Sequence, residues 1–347
     1  MKRKGNIFDK ITTIENIAAA HEMAKRDKSK YKEVGEVEKN PLLFFEKIKE
    51  MLENQTYEIK ESDYRLRKKV DKGKVRDLMI LPYYPHRIIQ WAVILQIQDI
   101  LLKRLIPNTY ASLPGRGIQQ AHKRLEKALK SDESGTKYCY KMDIKKYYPS
   151  INRSIAKRQW RSFIKDSKLL WLIDLFIDTA PGVKGIPIGS LFSQWEGNLF
   201  ASPLDRFIKE ELKVKYYFRY CDDIVILHSD KVALHKIKER VAEFLKNELD
   251  LEVKDNHQIF PVACRGIDFV GYRHFHYYTL LRKNIASNMI RKSKYIRKNK
   301  SRCSPKDCNS LISSSGWTKH CNGHNLTSTY FKPLSKLIKN KVREGYA

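Results

Sequence analysis

A chain of 347 residues with 42% hydrophobic content can fill two or three packed subdomains and is too apolar for a disordered polymer. Its 68 Lys and Arg against 39 Asp and Glu leave a formal charge of +29, which points to a polyanionic partner. A surface made basic only for solubility would mix the two signs more evenly. The most apolar stretch, 88–106, is broken by Gln90, Gln96, Gln98, Asp99, Lys103 and Arg104, so no membrane span is expected. The N-terminal Met-Lys-Arg-Lys is basic but has no apolar run behind it, so the protein is expected to stay in the cytoplasm.

The predicted elements begin with a helix over 11–24 and a charged connector over 25–40. Pro41 then opens a second helix with Phe44, Phe45, Ile48, Met51 and Leu52 on one face. Residues 57–80 read as a basic hairpin that turns at Asp71-Lys72-Gly73-Lys74. A long helix over 87–105 follows, then a loop with Pro114, Gly115, Arg116 and Gly117, then a basic helix from Ile118 to about Ser131. Residues 138–144 form a short apolar strand ending in an acid, and Gly185 to Gly189 is a tight loop. The segment 191–212 is helical with a break at Ser202-Pro203. Residues 216–228 are two strands joined at Cys221-Asp222-Asp223. Another helix over 231–249 leads to a strand set over 251–280 with Gly271 at a turn. From Arg282 onward the only acids are Asp307 and Glu344, so the tail suits a helical module that grips nucleic acid.

Six cysteines are scattered along the chain, and those of a large intracellular protein are reduced thiols. Cys303, Cys308, His320, Cys321 and His324 could in principle hold zinc, but their spacing fits none of the common structural patterns closely.

The chemistry concentrates at Tyr220-Cys221-Asp222-Asp223, where aromatic and β-branched residues flank a pair of acids. Alone this is weak, because aspartates favour turns for backbone reasons. Asp143 ends a strand of its own, and if the strands are neighbours three carboxylates converge in a strongly basic protein. Such a cluster repels itself unless cations enter it, and hard divalent ions are its natural filling.

Tyr220 to Asp223 resembles the Tyr-x-Asp-Asp box of reverse transcriptases. Asp143-Ile-Lys-Lys-Tyr-Tyr148 resembles their first palm motif, an acid followed five residues later by an aromatic. Gly185-Ile-Pro-Ile-Gly-Ser190 stands where that family has a Pro-Gln-Gly loop, and Arg265 to Tyr272 resembles the motif that supports the primer. The resemblance narrows to reverse transcriptases of diversity-generating retroelements through Asn6 to Asn16, through Gly185 to Gln194 with Asn198, and through Val214 to Tyr220. Ser315-Gly-Trp317 and His324-Asn-Leu326 also fit. Cys221, in place of the more usual Met, and Glu196-Gly197 depart from the subgroup without touching a metal ligand.

The resemblance implies an α+β right-hand polymerase fold with fingers, an antiparallel-sheet palm and a short helical thumb. Residues 1–136 would be N-terminal extension and fingers, 137–151 palm, 152–187 fingers, 188–281 palm and 282–347 thumb. It implies Asp143, Asp222 and Asp223 as catalytic residues, and these with Ile144 as holders of two Mg²⁺, for which Mn²⁺ can substitute. Tyr148 would be the gate that excludes a ribose 2′-hydroxyl, with a core aromatic as the alternative. Lys74 and Arg76 would grip the triphosphate, with a solvated basic turn as the alternative, and Ile188 and Gly189 would line the nucleotide site. Arg116 would touch template phosphate or base, with a residue of no such role as the alternative, and Gln194, Gly271 and Tyr272 would contact template or primer. Many relatives have Gln at the Ile188 position; an isoleucine packs there without donating a hydrogen bond, so fidelity is expected to be low.

The implied activity is error-prone, adenine-mutagenised cDNA synthesis from a template RNA by a bacterial or phage-encoded enzyme, diversifying a target gene. The implied partners are template RNA, cDNA, dNTPs and a pentameric basic helical-bundle accessory protein. Two alternatives stand beside it: a reverse transcriptase of group II intron or defence-system lineage with ordinary fidelity, and a non-catalytic RNA-binding protein.

Overall fold

The computed structural model describes residues 2–71 and 74–344, with the backbone alone for 70, 71, 74–76 and 344. The chain forms two compact units. One is built from Met1–Ser112, Ile144–Leu212 and Glu239–Asp255, and the other from Leu113–Asp143, Lys213–Lys238 and Asn256–Ala347. No helix among the described residues is long and apolar enough to cross a membrane.

In the first unit the helix Ile14–Ala24 starts at Thr13, whose hydroxyl accepts from the Asn16 amide at 3.2 Å. It buries Ile17, Ala20 and Ala24 and packs on the helix Ile88–Leu102. That second helix is buried on most of its circumference through Ile88, Ile89, Val93, Ile94, Ile97 and Leu101, so the interior polar groups must find partners there. Asn16 supplies one set: its Nδ2 donates to Ile11 O at 3.0 Å and Ala92 O at 3.1 Å, and its Oδ1 accepts from Gln96 Nε2 at 2.6 Å.

The expected connector over 25–40 is corrected in part, because Lys32–Lys39 is a helix. Only Val34 and Val37 are buried on it, too few for a visible period. Tertiary contacts fix it instead: Glu33 accepts from the Tyr83 amide at 2.6 Å and from Arg65 Nη2 at 2.9 Å. The helix Pro41–Glu53 begins as expected at proline. The basic hairpin pairs β1 (Arg65–Asp71) with β2 (Lys74–Ile80) from Arg65↔Ile80 to Asp71↔Lys74. Its turn, Lys72-Gly73, lies outside the described residues. Two helices not assigned from the sequence, Arg153–Arg161 and Ser167–Asp178, follow in the same unit. The expected helical break is present, with one helix over Leu191–Phe200 and the next starting at Ser202.

The second unit contains an antiparallel sheet in the order β4-β5-β3-β6, made of β3 (Tyr138–Asp143), β4 (Tyr216–Tyr220), β5 (Asp223–His228) and β6 (Gln258–Pro261). A three-stranded sheet follows, β7 (Ile267–Phe269), β8 (Tyr272–His274) and β9 (Thr279–Leu281). The helix Ile118–Ser131 buries Ala121, His122, Leu125, Ala128 and Leu129, one face at helical spacing. The C-terminal helices Lys283–Lys298, Pro305–Gly316 and Ser335–Glu344 close on Met289, Ile296, Leu311, Leu334 and Ile338. Cys303 and Cys308 belong to this core, and burial pushes the Cys308 thiol up to about 11. Both side chains pack within it.

Candidate active site

The acid pair sits at a hairpin tip, Asp222 in the two-residue loop Cys221-Asp222 and Asp223 as the first residue of β5. Cys221 takes φ +59°, a backbone that such a loop normally gives to glycine. Arg219 supports the turn. Its side chain is wholly buried, and Nη1 donates to Cys221 O at 3.2 Å. Pairing with Ile224, Arg219 lies on the opposite face of the sheet from Asp223. A fully buried arginine within an apolar strand run escaped the sequence reading; its only signal was a cation where a β-branched residue was due.

Register decides how the acids meet. Asp143 at the end of β3 is the direct cross-strand partner of Asp223 at the start of β5. Neighbouring Cα atoms in such a pair are roughly 4.5–5.5 Å apart, and like charges so placed are destabilising. Asp222 is adjacent in the turn. Lys141, two residues before Asp143, shares its face of β3, and its ammonium pairs with Asp223 Oδ1. That oxygen is buried and has no other hydrogen-bond partner among the described residues. Burial pushes Lys141 down to about 8, while the Asp143 carboxylate acts against that shift. Three carboxylates gathered beside one ammonium offer their charge on oxygen alone, a donor set that fits hard divalent cations.

Arg116 and Tyr220 line one cavity of about 530 Å³, together with Gln119, Gln120 and Trp317. Trp317 also explains Gly271, which has φ +93° and where an added Cβ would come within 2.5 Å of the indole. Tyr272 is fully buried; its ring lies 5.5 Å from Trp317 and its hydroxyl donates to Trp317 O at 3.2 Å. In this structure Gly271 and Tyr272 therefore build the wall behind the cavity.

The remaining residues belong to the other unit. The loop over 185–190 is fastened along its length: the Gly185 amide donates to Ile151 O at 2.8 Å, Ile186 to Tyr148 O at 3.1 Å, and Met79 to Ile188 O at 2.8 Å. Gly189 takes φ +114°, and a Cβ there would meet Met79 O at 3.3 Å. Ile188 is half-buried and Gly189 exposed. Gln90, from the long apolar helix, caps the next helix from outside: its Oε1 accepts from Ser190 Oγ at 3.2 Å and the Leu191 amide at 3.1 Å. Gln90→Ala is expected to cost about 1–3 kcal/mol, read as a shift of the urea unfolding midpoint. Gln194 is the exposed residue of the Leu191–Phe200 helix. Ile144, next to Asp143 along the chain, is buried and bridges to Val253. Lys74 and Arg76 lie on β2, but their side chains are outside the described residues.

The family described as Reverse transcriptase (RNA-dependent DNA polymerase) matches residues 66–274, which hold the acid trio, the Tyr148 segment and the loop over 185–190. That is more than half of the chain, and the protein belongs to this family. Among solved structures it is similar to apo telomerase from Candida tropicalis, with 12% identity, TM-score 0.50, and 82% of this chain and 58% of that chain covered. It is also similar to Candida albicans telomerase in complex with a TWJ fragment of telomeric RNA, with 9% identity, TM-score 0.51, and 81% and 55% covered. At these identities the likeness is one of fold: the α+β architecture is a reverse transcriptase fold. The chain spans just over half the length of these telomerase chains. No curated protein matches it.

Proposed function

We propose that the protein is an RNA-directed DNA polymerase of low fidelity, of the kind found in diversity-generating retroelements. The observation that carries the polymerase reading is the direct cross-strand pairing of Asp143 with Asp223 beside Asp222. Asp143, Asp222, Asp223 and the Ile144 carbonyl would hold two Mg²⁺ or Mn²⁺. When bound, these supply the Lewis acidity that activates a primer 3′-hydroxyl and neutralises the leaving pyrophosphate.

The chain's own residues do the rest. Tyr148 excludes the ribose 2′-hydroxyl, and Lys74 and Arg76 hold the triphosphate by charge-assisted contacts. Ile188 and Gly189 bound the nascent base pair, with the Met79 amide fixing the Ile188 carbonyl. Arg116 and Gln194 contact the template, while Gly271 and Tyr272 set the Trp317 wall that supports the primer side. Fingers would occupy 1–136 and 152–187, palm 137–151 and 188–281, and thumb 282–347. The charge of +29 suits RNA and cDNA as ligands. A pentameric basic accessory protein and a bacterial or phage cytoplasm complete the retroelement reading.

Fidelity separates this lineage from group II intron and defence-system enzymes. An isoleucine at position 188 discriminates by shape alone, whereas glutamine would leave polar groups unpaired on error. On an adenine-rich RNA template the wild-type protein should misinsert opposite adenine, and Ile188→Gln should cut those errors about tenfold. Sequenced cDNA reads this directly. An identical error spectrum in the two proteins would sink the low-fidelity reading and leave an ordinary reverse transcriptase.

A further inference from the structure

Gly197 lies in the interior of the helix Leu191–Phe200, is buried, and caps nothing. Glycine at such a position costs about 0.5–1 kcal/mol relative to alanine, so a helix retains it for a reason. The reason is visible on its surface. A Cβ at Gly197 would lie 3.1 Å from Tyr148 Cε1, 3.2 Å from its Oη and 3.3 Å from its Cζ. The Tyr148 ring is thus seated on bare helix backbone. Tyr147 fixes the same spot: its hydroxyl donates to Gly197 O, and its ring stands 5.5 Å from that of Tyr148 at 64°. Tyr147 is buried, whereas Tyr148 is only half-buried.

We infer that Gly197 sets how far the Tyr148 ring projects, and thereby the stringency with which deoxyribonucleoside triphosphates are chosen over ribonucleoside triphosphates. The inference rests on the reading of Tyr148 as the sugar gate. A methyl group at position 197 requires the ring to give by a few tenths of an ångström. Toward the helix it has no room, and the buried Tyr147 fills the flank, so the displacement runs to the exposed side. A ring pushed outward narrows the space for the sugar, and the larger sugar loses more than the smaller one.

The test compares wild type, Gly197→Ala and Tyr148→Ala on a primed RNA template. The readout is the ratio of kcat/KM for a dNTP to that for the matching rNTP. Gly197→Ala should stay folded, since alanine's helix preference offsets part of the cost of displacing the ring. It should also raise the ratio roughly fivefold or more, mainly through KM. Tyr148→Ala should collapse the ratio. If turnover of a variant is too slow, equilibrium binding of dNTP and rNTP to the complex on a chain-terminated primer gives the same ratio. A folded Gly197→Ala whose ratio is unchanged or lower, beside a Tyr148→Ala that has lost discrimination, overturns this inference alone. A Tyr148→Ala with wild-type discrimination overturns the gate reading and this inference with it.

Discussion

Asp222→Asn is expected to cut nucleotide addition at least about a thousandfold while RNA binding stays within a factor of two or so. Asp143 and Asp223 face each other across β3 and β5, Asp222 adjoins them, and Lys141 is paired with Asp223. In the proposed mechanism these anionic oxygens hold the cations, so one neutral amide weakens the whole set. Stability should hold or rise, because relieving repulsion among carboxylates favours the folded state. Asp143→Asn should cut addition in the same way but lose some stability, because its carboxylate supports the buried Lys141 ammonium. Asp223→Asn should also release Lys141 from its ion pair and lose some stability. Single-turnover primer extension, RNA binding by fluorescence anisotropy and thermal unfolding separate these effects. Extension by Asp222→Asn within tenfold of wild type would remove the trio from the chemistry.

Glu196→Gln should reshape stability against pH. Glu196 is fully buried, and burial pushes its carboxyl up from 4.5 to about 7 despite the Trp160 indole, which donates to Oε2 at 2.5 Å. Its Oε1 has no hydrogen-bond partner among the described residues. The folded state therefore holds a proton that the unfolded chain releases near 4.5. This contribution to stability is complete below about pH 4.5 and is lost as pH rises through about 7, where the buried group must ionise. At 1.36 kcal/mol per pKa unit the loss is ~3 kcal/mol. The glutamine accepts from the same indole and cannot ionise. Urea unfolding of the two proteins between pH 4.5 and 8 should show the variant gaining on wild type with rising pH and levelling off above about 7. Parallel profiles would mean that Glu196 is already ionised, or hydrated, in the folded protein.

What could be read from the sequence divides along physical lines. The hairpin at Cys221-Asp222, the basic hairpin (expected over 57–80, paired only from Arg65 to Ile80) and the long apolar helix were legible because their periods and turn residues are local. That the acids share a neighbourhood was legible only as order along the chain. The register that sets Asp143 against Asp223 depends on pairing across 80 residues. Gln90 capping a helix a hundred residues later leaves no local trace. The same holds for Glu33 fastening the helix over 32–39, and for Gly271 opening a seat for Trp317. Gly197 was visible as an oddity, and its meaning came only with the ring that rests on it.

The most direct test of the central claim is primer extension by the purified protein on a primed RNA template with dNTPs and Mg²⁺, with and without chelator. Extended, Mg²⁺-dependent cDNA that is lost in Asp222→Asn is the expected result. Tight RNA binding without extension, under conditions where the folded protein, template and cation are all present, would contradict it and leave a protein that binds RNA without copying it.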